Sequence, residues 1–528
     1  MTNGSFDAHD LLDGLTFEQH EAVMSHDRRL LVRATAGSGK THVLTLRIQR
    51  RIESGELDPA HILVMTFTRK AGDELRTRLF RRGIRDIRAG TFHRAALSIV
   101  TQYRADANLR PLTIETSRRR LLHLLIPHLR EDGMAIEDWQ IPRIEQELSW
   151  ALSQGFSGTT YVRRAHRHRR STVLAPAQMA EVIDRYGGYC AARGVVDFDL
   201  LLQNAIQILR ENPATVAGFR HRTRAFFVDE TQDMNPLQFQ LLKTMAGDDP
   251  DLFCVGDPNQ SIYGFNGADP QLLSEVVRTW PDVTVLDLTR NHRSTEPIVA
   301  VANTLLDDGT TGITPARLDG PLPLVRGYDT DEEEARRVVQ WLLTQRTPGT
   351  SWRHMAILAR TNAQLDPFIA ALEEAGIPFE KKGGDYSPAS DLAGGDLAPR
   401  VSNDDAVALS TIHRAKGLEW RCVAAVGWAE GQLPHYSAES PEQLAEEQRL
   451  AYVALTRAEE ALLITWNQGR HDPRYGNRLP SRYLPAIEAV IANFQAQRAP
   501  LTGDARRARL AEARAAIEKA IGGSVDPQ

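Results

Sequence analysis

The sequence predicts an α/β protein made of two parallel-sheet units with a helical insertion. Three observations carry this. Two separate stretches alternate short apolar runs with helical patterns, the signature of strands joined by crossover helices. A glycine-rich loop sits between one such strand and a helix. A second strand ends in adjacent carboxylates. Length and composition agree: 528 residues leave room for three or four domains, and 42% hydrophobic with 25% charged residues is ordinary for a soluble globular enzyme.

The first stretch holds Leu30-Leu31-Val32, Ile62-Leu63-Val64-Met65 and Phe226-Phe227-Val228. The second holds Val283-Thr284-Val285-Leu286, Ala356-Ile357-Leu358, Val407-Ala408-Leu409 and Ala461-Leu462-Leu463-Ile464. Residues 95–194 read as helical throughout and interrupt the first stretch. Asp331, Glu332, Glu333 and Glu334 favour the positive end of an amphipathic helix that runs to Gln345. Residues 381–405 crowd glycine and proline without a period and predict a loop. Residues 496–528 form a charged, alanine-rich tail. The implied division is 1–94 and 195–280 for the first unit, 95–194 for the insertion, and 281–380 with 406–495 for the second unit.

Several classes are disfavoured. No window approaches the ~20 apolar residues of a membrane-spanning helix. The start, Met1-Thr2-Asn3-Gly4, lacks the basic and apolar segments of a secretory signal. Cys190, Cys254 and Cys422 are too few and too scattered for a disulfide framework or a cysteine zinc site. The expectation is a cytoplasmic protein without a membrane partner. The net charge of −5 lacks the basic footprint of many nucleic-acid binders, so any such affinity must be local.

Ala34-Thr35-Ala36-Gly37-Ser38-Gly39-Lys40-Thr41 follows a strand and opens a helix. Backbone N–H groups at a helix N-terminus make an anion site. Lys40 would reach the β- and γ-phosphates of ATP, and Thr41 would hold Mg²⁺. The strand 225–228 then delivers Asp229-Glu230 at its carboxyl end. Asp229 would bind Mg²⁺ through water, and Glu230 would orient and deprotonate the attacking water. Asn235-Pro236 starts the next helix by capping and fixed φ, and Gly247 ends it.

From about Leu15 to Asn467 the order and spacing of motifs resemble the UvrD/Rep/PcrA branch of superfamily 1 helicases, with two RecA-like P-loop NTPase lobes, 1A and 2A, and the helical subdomain 1B. Leu15-Thr16-Phe17-Glu18-Gln19 resembles the Q motif, which implies that Gln19 reads adenine. Thr66-Phe67-Thr68 and Gly90-Thr91-Phe92-His93 resemble segments that face DNA, pointing to Phe67, Thr91 and His93. In the motif running from Val255 to Phe265, the resemblance implies that Gln260 senses the γ-phosphate while Tyr263 and Phe265 stack on bases. Asn291-His292-Arg293-Ser294 and Arg449-Leu450-Ala451-Tyr452 through Arg457 supply two arginine fingers, Arg293 and Arg457. Thr411, His413 and Glu419 lie in a further motif, with Glu419 on the ribose and Lys416 beside it. Glu430-Gly431-Gln432-Leu433-Pro434-His435 resembles another DNA-facing segment, pointing to His435.

Arginine suits the finger role because it is always charged and its planar fork matches phosphate oxygens. Three positions depart from the family. His292 stands where a tyrosine usually stacks on adenine. His42 stands where an arginine commonly follows the phosphate loop. A whole subdomain, 2B, normally lies where only residues 381–405 lie here. The resemblance implies an ATP- and Mg²⁺-dependent DNA helicase or translocase of 3′-to-5′ polarity, acting on single-stranded DNA and single-strand/duplex junctions in repair or replication. The alternative is the ATPase subunit of a DNA-processing or phage-defence assembly with a nuclease partner and little strand separation of its own, and the resemblance leaves room for a nuclease or repair-protein partner. A DNA-binding scaffold without catalysis is disfavoured by Lys40, Glu230, Gln260 and Arg457. The basic run Arg163-Arg164-Ala165-His166-Arg167-His168-Arg169-Arg170 reads equally as a phosphate grip or a solvated helix face. Trp139, Trp150, Trp280, Trp341 and Trp352 are expected to pack rather than stack on bases.

Overall fold

A computed structural model describes residues 12–167, 172–264, 267–307, 312–381, 405–469 and 477–499. Two six-stranded sheets, all of whose pairings are parallel, form its framework. The strands in chain order begin with β1 (Arg29–Ala34), β2 (Ile62–Thr66) and β3 (Arg88–Thr91). Two short strands, β4 (Thr113–Ile114) and β5 (Val195–Val196), pair at the base of the insertion. Then come β6 (Ala225–Val228), β7 (Asp251–Gly256) and β8 (Thr284–Leu288). The first sheet runs β3-β2-β6-β7-β1-β8. Strands β6 and β7 are buried at every position, as central strands covered on both faces must be.

Strands β9 (Arg290–Thr295) and β10 (Thr314–Arg317) form a separate parallel pair. The second sheet contains β11 (Leu324–Tyr328), β12 (Met355–Ala359), β13 (Phe379–Lys381), β14 (Val407–Thr411), β15 (Trp420–Ala425) and β16 (Ala458–Asn467), in the order β11-β16-β15-β12-β14-β13. The fold class is therefore as expected. One strand is not where the sequence placed it: β8, assigned above to the second unit, is an edge strand of the first sheet, paired with β1 from Leu30↔Thr284 to Ala34↔Leu288. Its apolar run specifies burial but not a partner, and the pairing with β1 is a tertiary choice.

Residues 95–194 fold as helices around the short β4–β5 pair, including Arg118–Glu131, Ile141–Ser153, Gly158–Arg167 and Pro176–Arg193. Their apolar faces do not close on themselves. Leu122, Leu125, Leu148 and Tyr186 belong to one continuous core with Leu31, Met65, Phe226 and Cys254 of the first sheet. The opposite face of that sheet packs under the phosphate-loop helix through Val43, Leu44 and Ile48. Helix Asp331–Gln345 forms with the predicted bounds, capped by Thr330, and covers one face of the second sheet through Val338 and Leu342. Trp280 is buried, whereas Trp139 is 66% exposed and departs from the packing expectation. Its indole lies in a one-turn 3-10 segment too short to bury both faces. Of the basic run, Arg163, Arg164, His166 and Arg167 lie exposed on a helix, and residues 168–170 lie outside the described residues. The same is true of residues 382–404 of the Gly/Pro loop, and of the tail from residue 500. Among the described residues no helix is long and apolar enough to cross a membrane.

Candidate nucleotide site and nucleic-acid face

The phosphate loop joins β1 to helix Lys40–Glu53. Gly37 and Gly39 have φ of +70° and +83°, which only glycine adopts without strain. A Cβ on Gly37 would also lie 2.6 Å from the Asn291 amide nitrogen. That amide donates to the Ala36 carbonyl at 2.8 Å, and the His292 N–H donates to the Gly37 carbonyl at 2.9 Å. The loop is thus seated on β9, the strand that leads into the second lobe. Gln19 closes a capping box with Thr16 and donates its amide to the Ser38 carbonyl at 2.9 Å. His292 and His42 are both exposed, and partial burial holds each imidazole below its ordinary pKa.

The carboxyl end of β6 places two acids against the loop. The Thr41 hydroxyl donates to Asp229 at 3.4 Å, and the Glu230 N–H donates to the other Asp229 oxygen at 2.9 Å. Burial, and then the neighbouring Glu230 charge, push Asp229 up to about 7. Burial acts on Glu230 in the same sense, but Lys40 and Lys416 more than offset it and hold Glu230 below its ordinary value. The two neighbouring carboxyls are therefore shifted in opposite directions. Glu230 itself adopts φ +50°, a left-handed conformation costing about 1–3 kcal/mol for a residue with a Cβ. The Gln232 amide donates to its carboxylate at 2.5 Å. Lys40 Nζ lies 3.8 Å from Asp257, which also accepts from the Gln260 amide at 2.6 Å.

The second lobe adds cations. Arg457, 1% exposed, donates to the Gln260 side-chain oxygen at 3.4 Å. Burial, then repulsion from Arg293, lowers its pKa to about 9. Arg293 is held by Glu419 and by the Thr456 carbonyl. Lys416, to which the sequence assigned no role, reaches across the seam. Its ammonium is 2.6 Å from both oxygens of Asp233 and donates to the Gln260 carbonyl. Its place in the motif was visible in the sequence; its partner Asp233 was not.

The same ammonium lies 5.1 Å over the Tyr263 ring, which stacks on Phe67 at 5.0 Å between centroids. The Tyr263 hydroxyl donates to the His413 carbonyl, and the two rings are 6.5 Å apart. Phe67, Tyr263 and His413 follow the carboxyl ends of β2, β7 and β14, so both sheets present the row on one edge. Thr91, His93 and Thr411 do not join it. Thr91 caps helix Phe92–Asp106, Thr411 precedes helix Ile412–Ala415, and the His93 ring packs edge-on to Phe198. All three are buried, and burial lowers the His93 imidazole to about 4. His435 is half-buried at the second lobe's edge, and Phe265 lies outside the described residues.

Two parallel sheets sharing a glycine loop, strand-end carboxylates and arginines across one seam define the class of two-lobed, RecA-like P-loop proteins. The UvrD/REP helicase N-terminal domain matches residues 15–281, and the UvrD-like helicase C-terminal domain matches 286–385 and 394–469. The chain belongs to the UvrD helicase family. It is 30% identical to ATP-dependent DNA helicase UvrD2 of Mycobacterium tuberculosis (strain ATCC 25618 / H37Rv), over 96% of this chain and 85% of that protein. It is 33% identical to DNA helicase II of Escherichia coli (strain K12), over 71% of this chain and 52% of that one. To ATP-dependent DNA helicase PcrA of Staphylococcus aureus (strain Mu50 / ATCC 700699) it is 29% identical, over 71% and 51%.

Proposed function

We propose that the chain is an ATP-dependent DNA helicase that steps 3′-to-5′ along single-stranded DNA. The observation that carries this is the single seam where Lys40, Glu230, Gln260 and Arg457 meet, with the aromatic row joined to it through Lys416. Gln19 would take the adenine edge, and Glu419 the ribose. The backbone of residues 34–39 would cradle phosphates, with Lys40 on the β- and γ-phosphates. Glu230 would take the proton of the attacking water as the bond to the leaving ADP breaks. Arg293 and Arg457 would meet the charge that develops on the transferred phosphoryl oxygens, and Gln260 would report its presence.

The residues also fit Mg²⁺. Asp229 and Thr41 offer hard oxygen donors, and a single buried carboxylate leaves room for the waters and phosphate oxygens this ion prefers. Bound there, the ion would offset the negative charge that Asp229 and Glu230 bring together. Phe67, Tyr263, His413 and His435 would carry the bases of the strand, and lobe closure on ATP would move that grip. Polarity and preference for junctions rest on the family resemblance.

The test is ATP turnover with single-stranded DNA, duplex and RNA, beside strand separation on the same preparation. Stimulation by single-stranded DNA with unwinding of 3′-tailed duplexes is expected. Turnover indifferent to DNA would refute the proposal.

A further inference from the structure

The loop after β15 carries an aromatic side chain that no motif accounts for. Tyr436 is 77% exposed. Its loop is nevertheless tightly held: Leu433 is fully buried, and its carbonyl accepts from the Ser481 hydroxyl. The Tyr436 N–H donates to the Gly431 carbonyl at 3.0 Å, and Gly431 turns at φ +81°. The His435 N–H donates to Glu447, whose carboxylate also receives the Arg360 guanidinium at 2.7 and 2.9 Å. A large ring displayed on a rigid backbone loses little freedom when something covers it.

Its position names the cover. Arg360 follows β12, His413 follows β14, and this loop follows β15, all at the carboxyl edge of the second sheet. Burial, and then the Arg360 charge, lower both the His413 and His435 imidazoles. The His435 and Tyr436 rings lie 4.3 Å apart between centroids. The aromatic row therefore runs from Phe67 and Tyr263 through His413 and Arg360 to His435 and Tyr436, mixing π-faces with a cation as single-strand tracks do.

We propose that Tyr436 is a base-stacking residue of this chain, ending the strand's path on the second lobe. The ligand is an unpaired nucleobase of single-stranded DNA, bound without sequence preference because every base has a π-face. This rests on the DNA-binding reading above. Glu447 is a positioning residue: it accepts from the His435 N–H and is itself held by Arg360.

The probe is a thymidine oligonucleotide containing 5-iodo-deoxyuridine, which crosslinks on irradiation to a stacked aromatic ring. The crosslink is expected on the peptide containing Tyr436. In fluorescence anisotropy, Tyr436→Ala should weaken oligonucleotide binding roughly five- to tenfold, with Tyr436→Phe restoring it. Unchanged affinity in Tyr436→Ala, or crosslinks confined to other peptides, would overturn the assignment. A wild-type protein that binds no oligonucleotide would overturn the DNA-binding reading itself, so the two failures are distinguishable.

Discussion

Replacing Lys416 by Met should open the cleft between the lobes. In the present structure its ammonium and the Asp233 carboxylate are 6% and 2% exposed and 2.6 Å apart. Removing one partner of such a pair costs about 3–5 kcal/mol, because the other charge stays buried. Asp233 lowers that figure. Burial already lifts its pKa to about 7 with Lys416 in place, so without the lysine it takes a proton at neutral pH. The lower end, about 3 kcal/mol, applies and corresponds to roughly a 150-fold shift from closed to open. The sign with pH follows. A carboxyl whose pKa is higher in the closed form stabilises that form below its ordinary pKa and loses this as pH rises through the raised value. Lys416→Met should thus be more open at pH 9 than at pH 6. Because Cys190, Cys254 and Cys422 are buried, dyes placed by Ser54→Cys and Ala375→Cys, both exposed and one in each lobe, would report the separation by energy transfer. Adding Asp233→Asn should recover part of the closure. Identical transfer in wild type and Lys416→Met at both pH values would refute the reasoning.

Three further outcomes follow from the site. Lys40→Ala should lose nucleotide affinity in calorimetry, whereas Glu230→Gln should bind ATP and stop releasing phosphate; wild-type turnover by the latter would remove Glu230 from catalysis. Arg457→Ala should lower kcat by about 10³ or more while changing nucleotide affinity little, since a supplied arginine acts on the transition state; near-normal turnover would exclude it. Residues 381–405 are too few to build a core of their own, so single-turnover unwinding by dilute monomer should fall steeply with duplex length while translocation on single strands persists. Efficient long-duplex unwinding would contradict that.

Much of the fold was legible because its signals are local. The glycine loop needs positive φ at Gly37 and Gly39, the acids follow an unbroken apolar run, and helix Asp331–Gln345 announces its cap and charge. Strands β7 and β15 went unnamed, although Leu252-Phe253-Cys254-Val255 and Cys422-Val423-Ala424-Ala425 are apolar runs of strand length. Without alternation such runs do not distinguish a buried strand from a buried helix. The allocation of β8 depended on a pairing partner far along the chain. At the site, motif strings named the residues but not who meets whom. Lys416 with Asp233, Glu447 with Arg360, and the inward turn of His93 are tertiary facts.

The shared core between the helical insertion and the first sheet bears on how force travels. Leu125 and Leu148 on one side and Met65 and Phe226 on the other are parts of one apolar cluster. Moving the insertion relative to the sheet would expose that surface, at about 25 cal/mol for each Å² uncovered. The insertion is consequently a rigid outrigger, not a hinged arm. If the lobes close on ATP as proposed, the insertion travels with the first lobe, and a load on it passes through the shared core to the strands that carry the phosphate loop.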